Sequence, residues 1–447
     1  MKRKHPNVSL VSLGCPKNLV DSEKMLASLA EGGCVVGAPM EQADAIVVNT
    51  CGFLSAAREE SLGVIREALA CKRRRRGRCR VVVAGCLVDR DARKLFELAP
   101  GIDAIVGVNS RDDILAAVNG TSGEQARPLR VQPYRGGILS DAGRFRLTPR
   151  HTAYLRIAEG CSQRCAFCTI PAIRGPFRSK TVRAVLDEAA ELIADGAVEL
   201  NVIAQDTTAY GRDLAPPTTL ARLLDELAQL PGLRWLRLLY AYPRRFTREL
   251  MDIMARRKAI VPYVDIPLQH VSDGVLRRMG RGVGRAATEK MLADLRRVVP
   301  GVVIRTTFVV GFPGETAAEF KELLDFVKAF KFDAMGVFEY SPEEGTRAAA
   351  MGGQVPPEVK ARRAERLMLA QQKIAFAAAR RRVGRSVEVL VDGVDAAGRC
   401  VGRTRGQAPD IDSVCILTRE CPAGTFLTGK VAATQGYDLI VEPERTE

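Results

Sequence analysis

No uninterrupted apolar run in this sequence approaches the roughly 18 residues needed to cross a bilayer. A membrane-spanning chain is therefore not expected. Behind the basic Met1-Lys-Arg-Lys4, the apolar piece 8–13 is too short for the hydrophobic part of a signal peptide, and no small-residue cleavage site follows it. It is expected to be the first strand of a cytoplasmic protein. Histidine is scarce: His5, His151 and His270 are the only three, and their spacing is not that of a metal set. There is no internal repeat of solenoid period, which excludes a stacked-repeat architecture.

What the chain does have is length, positive charge and thiols. At 447 residues it exceeds one compact core, and length alone suggests about three domains. Hydrophobic residues at 47% and charged residues at 27% argue against global disorder. The net charge of +15 points toward a polyanionic partner such as RNA or a ribonucleoprotein. Twelve cysteines would suggest disulfides in a secreted protein; in a reducing cytoplasm they point to metal ligands or redox chemistry.

Residues 8–118 alternate strand-like and helical patterns. Strand-like runs fall at 8–13, 45–49, 80–84 and 104–106, with amphipathic stretches at about 18–30, 55–70, 89–98 and 111–118. Such alternation predicts a parallel sheet covered by helices, a Rossmann-like α/β domain over 1–118. The segment 119–149, rich in Gly, Pro and Arg without periodicity, is expected to be a linker. A second alternating series places strands at 154–158, 199–204, 234–240, 263–266, 302–309 and 335–339. Six strands are too few for an eight-fold barrel, so an open, TIM-like (βα)6 barrel is expected. Pro356-Pro357 then opens a long basic helix to about 382, with Leu367, Ala370 and Ile374 on one face, completing a domain over 150–382. Over 383–447, five short β-rich runs near 386–391, 399–403, 411–417, 425–433 and 437–441 predict a small antiparallel barrel.

The chemistry is concentrated in Cys161-Ser-Gln-Arg-Cys165-Ala-Phe-Cys168, just after the strand expected at 154–158. Three thiolates this close can hold three irons of a [4Fe–4S] cube. No second cysteine pair lies nearby, and His151 falls on the far side of the strand. A structural zinc site normally closes with four protein ligands, so the missing fourth argues against zinc. An open iron can instead chelate the amino and carboxylate groups of S-adenosylmethionine. Such a cluster passes one electron into the sulfonium and releases a 5′-deoxyadenosyl radical. The spacing, Phe167 beside the last cysteine, and the position at the top of the first barrel strand all fit a radical S-adenosylmethionine enzyme. A zinc-stabilised RNA-binding protein without catalysis is the competing reading.

Cys15, Cys51 and Cys86 each end an expected strand, in Leu-Gly-Cys15, Asn-Thr-Cys51-Gly and Ala-Gly-Cys86. In a parallel α/β sheet the carboxyl ends of strands share one edge, where ligands bind. The three thiols are therefore expected to converge, although about 35 residues separate each from the next. Gly14, Gly52 and Gly85 would let the backbone approach a bulky ligand. A second iron–sulfur cluster is preferred here over small apolar side chains filling strand ends. Cys34, Cys71, Cys79, Cys400, Cys415 and Cys421 lack this placement and are expected to be buried or incidental.

In these residues the chain resembles the radical S-adenosylmethionine methylthiotransferase family. Leu13-Gly-Cys15-Pro-Lys-Asn-Leu-Val-Asp-Ser22, Asn49-Thr-Cys51-Gly-Phe53, Ala84-Gly-Cys86 and Glu159-Gly-Cys161 carry the likeness. So do Ile170-Pro-Ala-Ile-Arg-Gly175, Asp265-Ile-Pro-Leu-Gln-His-Val-Ser272 and Val309-Val-Gly-Phe-Pro-Gly-Glu-Thr316. The likeness spans nearly the whole chain, and the C-terminal barrel resembles a TRAM domain. Cys15-Pro-Lys-Asn-Leu-Val-Asp21, Gln205-Asp-Thr-Thr-Ala-Tyr-Gly211 and Ala408-Pro-Asp-Ile-Asp412 resemble the branch that modifies an aspartate of small-subunit ribosomal protein number twelve. Two departures stand out: Ser162 where Asn is common, and Lys180 where Arg is usual, which weakens any transfer of a bidentate contact to that position.

The resemblance implies two [4Fe–4S] clusters. One, on Cys161, Cys165 and Cys168, would cleave S-adenosylmethionine so that the radical takes a hydrogen from the aspartate β-carbon. The other, on Cys15, Cys51 and Cys86, would supply or carry sulfur methylated by a second S-adenosylmethionine. An electron donor and a sulfur donor are implied as partners. Phe167, Gln205 and Arg305 are the expected cofactor contacts. Gln205 and Arg305 are expected near the carboxyl ends of barrel strands, with strand packing as the alternative role.

The sister branch modifies an adenosine in transfer RNA. From 383 to the end, seven basic residues stand against ten acidic ones, where a phosphate-gripping module would carry a basic stripe. A mildly acidic barrel suits a basic ribosomal protein instead, with Asp410 and Asp412 as the expected contacts. A simple turn is the alternative for that loop. The dense basic run 72–80 is expected to be a solvated loop, with ribosomal RNA contact as the alternative. His270 either faces the cofactor pocket or makes a structural hydrogen bond.

Overall fold

The computed structural model describes residues 5–120, 129–132 and 137–444. Its first sheet holds six parallel strands in the order Val35–Val36, Asn7–Ser12, Ala45–Thr50, Arg80–Gly85, Ala104–Val106, Leu129–Arg130. The central strands, Ala45-Ile-Val-Val-Asn-Thr50 and Arg80-Val-Val-Val-Ala-Gly85, are buried nearly throughout. Continuous apolar runs of this kind are what a parallel sheet with both faces covered requires. One face packs Leu62, Ile65 and Leu69 of helix Ser55–Arg74; the other packs Met25 and Leu29 of helix Pro16–Glu31 with Ile114 and Val118. Val35–Val36 and Leu129–Arg130, two residues each, are too short for a period-two pattern to reveal.

Leu129–Arg130 lies in the segment expected to be a linker, and Asp141, farther along it, is buried. Over 137–149, ion pairs of Asp141, Arg144 and Arg146, not an apolar face, hold the chain in place. Residues 121–128 and 133–136 of the same segment lie outside the described residues.

The second sheet is parallel and strictly sequential: Thr152–Arg156, Glu199–Ile203, Trp235–Leu238, Ile260–Asp265, Val303–Val310, Ala334–Glu339. Among the described residues its first and last strands do not pair, so the six-fold barrel is open as expected. Thr181, Thr219, Thr247 and Thr316 cap four of the covering helices by accepting a backbone N–H three residues on. The long helix Pro357–Arg380 lies against Ala334–Glu339 and helix Ala317–Phe330, burying Leu367 and Gln371.

The C-terminal barrel closes in the order Ser386–Val394, Cys400–Arg403, Cys415–Leu417, Asp438–Pro443, Phe426–Gln435. It is antiparallel except where Cys415–Leu417 runs parallel to Asp438–Pro443. An odd number of strands in a closed ring cannot alternate direction throughout, so one parallel neighbour is obligatory. The barrel plugs the amino-terminal mouth of the central sheet. Trp235, the first residue of its strand, meets Phe426 edge-on at 5.0 Å between ring centroids. Among the described residues, no helix is long and apolar enough to cross a membrane.

Candidate active site between two sets of thiols

Cys15, Cys51 and Cys86 follow three strands that are neighbours in the first sheet, Asn7–Ser12, Ala45–Thr50 and Arg80–Gly85. The register sets Ser12 beside Asn49 and Thr50 beside Gly85, so the strand ends align. The first two flank the point where the strand order reverses, the crevice in which open α/β sheets bind ligands. A Cβ on Gly14, whose φ is +92°, would fall 2.9 Å from the Cys51 Cβ. On Gly85, also at +92°, it would fall 2.2 Å from Asn49 Oδ1. These glycines therefore let the three cysteine-bearing turns pack on one another, a nearer need than ligand approach. Asn18 ties the turns together: its Nδ2 donates to the Leu13 and Thr50 carbonyls at 3.0 and 2.8 Å, and its Oδ1 accepts from Cys86 Sγ at 3.4 Å.

Across from them, the Cys161–Cys168 loop follows the short strand Ala158–Glu159, which pairs with Arg178–Ser179. Backbone bonds hold it: Cys161 N to Gly175 O at 3.1 Å and Ala166 N to Met279 O at 2.8 Å. All six of these thiols line a single cavity of about 320 Å³. Phe167 and Gln205 line it too. The other six cysteines do not.

Arg305 is not among the lining residues, contrary to expectation. It is the third of eight residues in Val303–Val310, so it lies toward the amino mouth of the barrel, where Asp265 and Asp412 pair with it, each at 3.3 Å. Asp410 and Asp412 also have partners within the protein. Asp410, itself exposed, accepts from the Tyr154 hydroxyl at 2.8 Å, and the half-buried Asp412 accepts from the Tyr263 hydroxyl at 2.7 Å. They fasten the small barrel to the central one. His270 is buried outside the cavity; its Nδ1 accepts from the Ser272 amide at 3.0 Å, and burial pushes its imidazole down to about 3. In the basic run, Lys72 pairs with Asp103 at 2.6 Å and Arg75 with Asp44 at 3.4 Å, while Arg73, Arg74, Arg76 and Arg78 are exposed.

The cavity's cations are Lys17 and Arg174, which lie within the family-like motifs, and Arg281, which no motif marks. Arg174, 1% exposed, donates from Nε to Cys86 Sγ at 3.3 Å and from its two other nitrogens to Glu159, Asn18 and Asp21 at 3.0, 2.6 and 3.0 Å. Arg281 reaches the Pro267 carbonyl at 2.6 Å and Cys165 Sγ at 3.6 Å. Lys17 lies 3.1 Å above the Tyr240 ring centroid. Burial pushes the thiols of Cys86 and Cys168 up to about 12 and that of Cys161 up to about 11. Cys15 goes the other way: against burial, Lys17, Arg174 and backbone amides bring it below its ordinary value.

Among the described residues, no three Cys, His, Asp or Glu side chains gather closely enough for a single metal ion. The thiols instead surround a space, and they are free. With three on each side and guanidinium donors on Cys86 and Cys165, this set fits two iron–sulfur cubes, whose anionic sulfurs take such donors.

Behind the cavity, buried ion pairs join the two sheets. Arg156 contacts Asp21, Asp141 and Glu159 at 2.8, 2.5 and 2.7 Å; Arg111 contacts Asp21 and Asp141 at 3.0 and 2.6 Å. Lys180 bridges Asp141, at 2.7 Å, to Glu188, so the lysine that replaces the usual arginine serves as a point cation between two carboxylates.

Comparison with known proteins agrees with this architecture. Residues 7–107 match the family described as "Uncharacterized protein family UPF0004", residues 155–327 the Radical SAM superfamily and residues 383–443 the TRAM domain. Ribosomal protein uS12 methylthiotransferase RimO of Pelotomaculum thermopropionicum is 47% identical, over 97% of this chain and 98% of its own. Its namesake in Desulforamulus reducens is 43% identical, over 98% and 99%. Among solved structures, TsrM of Kitasatospora setae, a radical S-adenosylmethionine methyltransferase with cobalamin and a [4Fe–4S] cluster bound, superposes with a TM-score of 0.53 over 77% of each chain. At 17% identity that likeness concerns the fold alone. On the first two relationships, the chain belongs to the family of ribosomal protein uS12 methylthiotransferases named RimO.

Proposed function

We propose that the protein is a radical S-adenosylmethionine methylthiotransferase of the cytoplasm that replaces a β-hydrogen of an aspartate in ribosomal protein uS12 by a methylthio group. The observation that carries this reading is the single cavity shared by Cys161, Cys165 and Cys168 on one side and Cys15, Cys51 and Cys86 on the other. Each trio would hold one [4Fe–4S] cluster. When bound, these groups would supply one-electron cleavage of S-adenosylmethionine on the first side and a sulfur-transfer site on the second.

The chain's own residues would bring the two chemistries to one cavity. Gln205 donates to Glu159 at 2.6 Å, and its buried Oε1 has no partner, which suits a donor on the cofactor. Phe167, edge-on to Phe312 at 6.4 Å, offers an apolar wall for the same molecule. The three-unit division at 1–118, 150–382 and 383–447, with 119–149 joining the first two, belongs to this reading. So do an electron donor and a sulfur donor as partners. The small barrel would meet the ribosomal protein, with the exposed Asp410 among the residues open to it.

The substrate printed in the relatives' name and the acidic balance of the small barrel favour a protein over the adenosine of transfer RNA. Mass spectrometry of uS12 and of bulk transfer RNA from a strain lacking this chain tests the choice. Loss of the methylthio group from uS12 alone is expected; loss from transfer RNA alone would overturn the reading.

A further inference from the structure

Three cationic side chains line the cavity, and two are already engaged. Arg174 donates to a thiol, two carboxylates and an amide oxygen; Arg281 donates to a carbonyl and a thiol. Lys17 is different. It is 6% exposed, lines the cavity, and its ammonium donates to no oxygen among the described residues. Its neighbour is the face of Tyr240, 3.1 Å from Nζ to the ring centroid. A ring face attracts a cation but accepts its N–H bonds poorly; the Cys15 thiol is the strongest opposite charge acting on the ammonium, which is left without an oxygen acceptor of its own.

The backbone that presents this ring is unusual. Tyr240 has φ +58°, a left-handed conformation that costs a bulky residue energy, and Gln269 at the same cavity has φ +71°. Tyr240 is held there by Thr207, whose N–H and hydroxyl both donate to the Tyr240 carbonyl at 3.1 Å, and by its own N–H, which donates to Asp265 at 3.3 Å. The fold thus fixes the ring against the ammonium at the cavity wall, on the same side as the Cys15 thiol.

We infer that Lys17 receives the side-chain carboxylate of the substrate residue and so selects an acid between the two sets of thiols. One ammonium matches one carboxylate, whereas a phosphate dianion would call for further donors. The inference rests on the reading of the protein as an aspartate-modifying enzyme. In it Lys17 fixes which side chain is accepted and how its β-carbon is presented.

The test uses the full chain, anaerobically reconstituted with iron and sulfide and supplied with S-adenosylmethionine. Two synthetic peptides are titrated, one carrying the uS12 aspartate in its own sequence context, the other with asparagine there. The parent is expected to bind the acid more tightly by about 10- to 100-fold, the range of a charge-assisted hydrogen bond. Lys17→Met is expected to erase the preference and Lys17→Arg to keep it, with iron content measured in each. Lys17→Gln replaces the Met variant if that protein fails to load iron. A neutral variant with parental iron that still prefers the acid overturns the inference. Equal weakening of both peptides, as from a purely structural role, overturns it as well. A parent that modifies transfer RNA and binds neither peptide overturns the proposed function, and the assignment of Lys17 with it.

Discussion

Arg174 touches four partners that the linear sequence scatters: Cys86 is 88 residues away, Asp21 153 and Asn18 156, with Glu159 alone nearby. Its fork fixes the Cys86 sulfur relative to the charges behind it. Arg174→Lys, with a point charge in place of the fork, is expected to lower the reduction potential of the cluster on Cys15, Cys51 and Cys86. The size should be roughly 60 mV for each ~1.4 kcal/mol of lost stabilisation, seen in an EPR-monitored titration that leaves the other cluster unmoved. His270 gives a pH test. Its folded value of about 3 lies below the ordinary 6.5, so between these limits the unfolded chain binds the extra proton and stability falls as pH falls. From pH 6.5 to 5 the loss from this group is about 2 kcal/mol, and His270→Asn should flatten that part of the stability profile in denaturant titrations. At this scale the cysteines were legible because each ends a strand or belongs to a tight motif. Arg174, Asn18 and Lys17 were not, because their roles depend on partners from other elements.

The Pro-Asp-Ile-Asp loop was legible as a turn between two strands, but its seat inside another domain was not. Tyr154 and Tyr263 sit on strands of the central sheet and read as ordinary apolar pattern; only the fold brings their hydroxyls to Asp410 and Asp412. Arg403 likewise reaches Glu199 at 2.8 Å, and Arg237 shares that carboxylate at 2.9 Å. Against the cost of burial, the two guanidiniums hold Glu199 down to about 2. Arg403→Met is therefore expected to cost on the order of 3–5 kcal/mol in urea unfolding, the range for breaking a buried pair. Removing 383–447 should destabilise the central barrel as well as any docking function, because Trp235, Glu199 and the two tyrosines lose their partners together. Strand positions, by contrast, came within a few residues at each end, because continuous apolar runs bounded by glycine leave little alternative.

For the whole molecule, a net charge of +15 suggested a polyanion, yet many of its arginines face inward. Arg111, Arg144, Arg156, Arg174, Arg237 and Arg403 are all buried beside carboxylates. Asp141, with three cations around it, welds the first sheet to the second, and Arg156, Lys180 and Arg111 hold its carboxyl well below the usual range despite burial. Asp141→Asn is expected to cost on the order of 3–5 kcal/mol and to split thermal unfolding into two steps, as calorimetry would record. That weld keeps the two trios of thiols facing each other across one cavity. Counting iron and acid-labile sulfide in the anaerobically reconstituted chain tests it most directly, in the parent and in two triple variants, Cys15/Cys51/Cys86→Ala and Cys161/Cys165/Cys168→Ala. About eight irons in the parent and about four in each variant are predicted for two cubes; about four in the parent, or a triple variant that keeps the parental count, would contradict it.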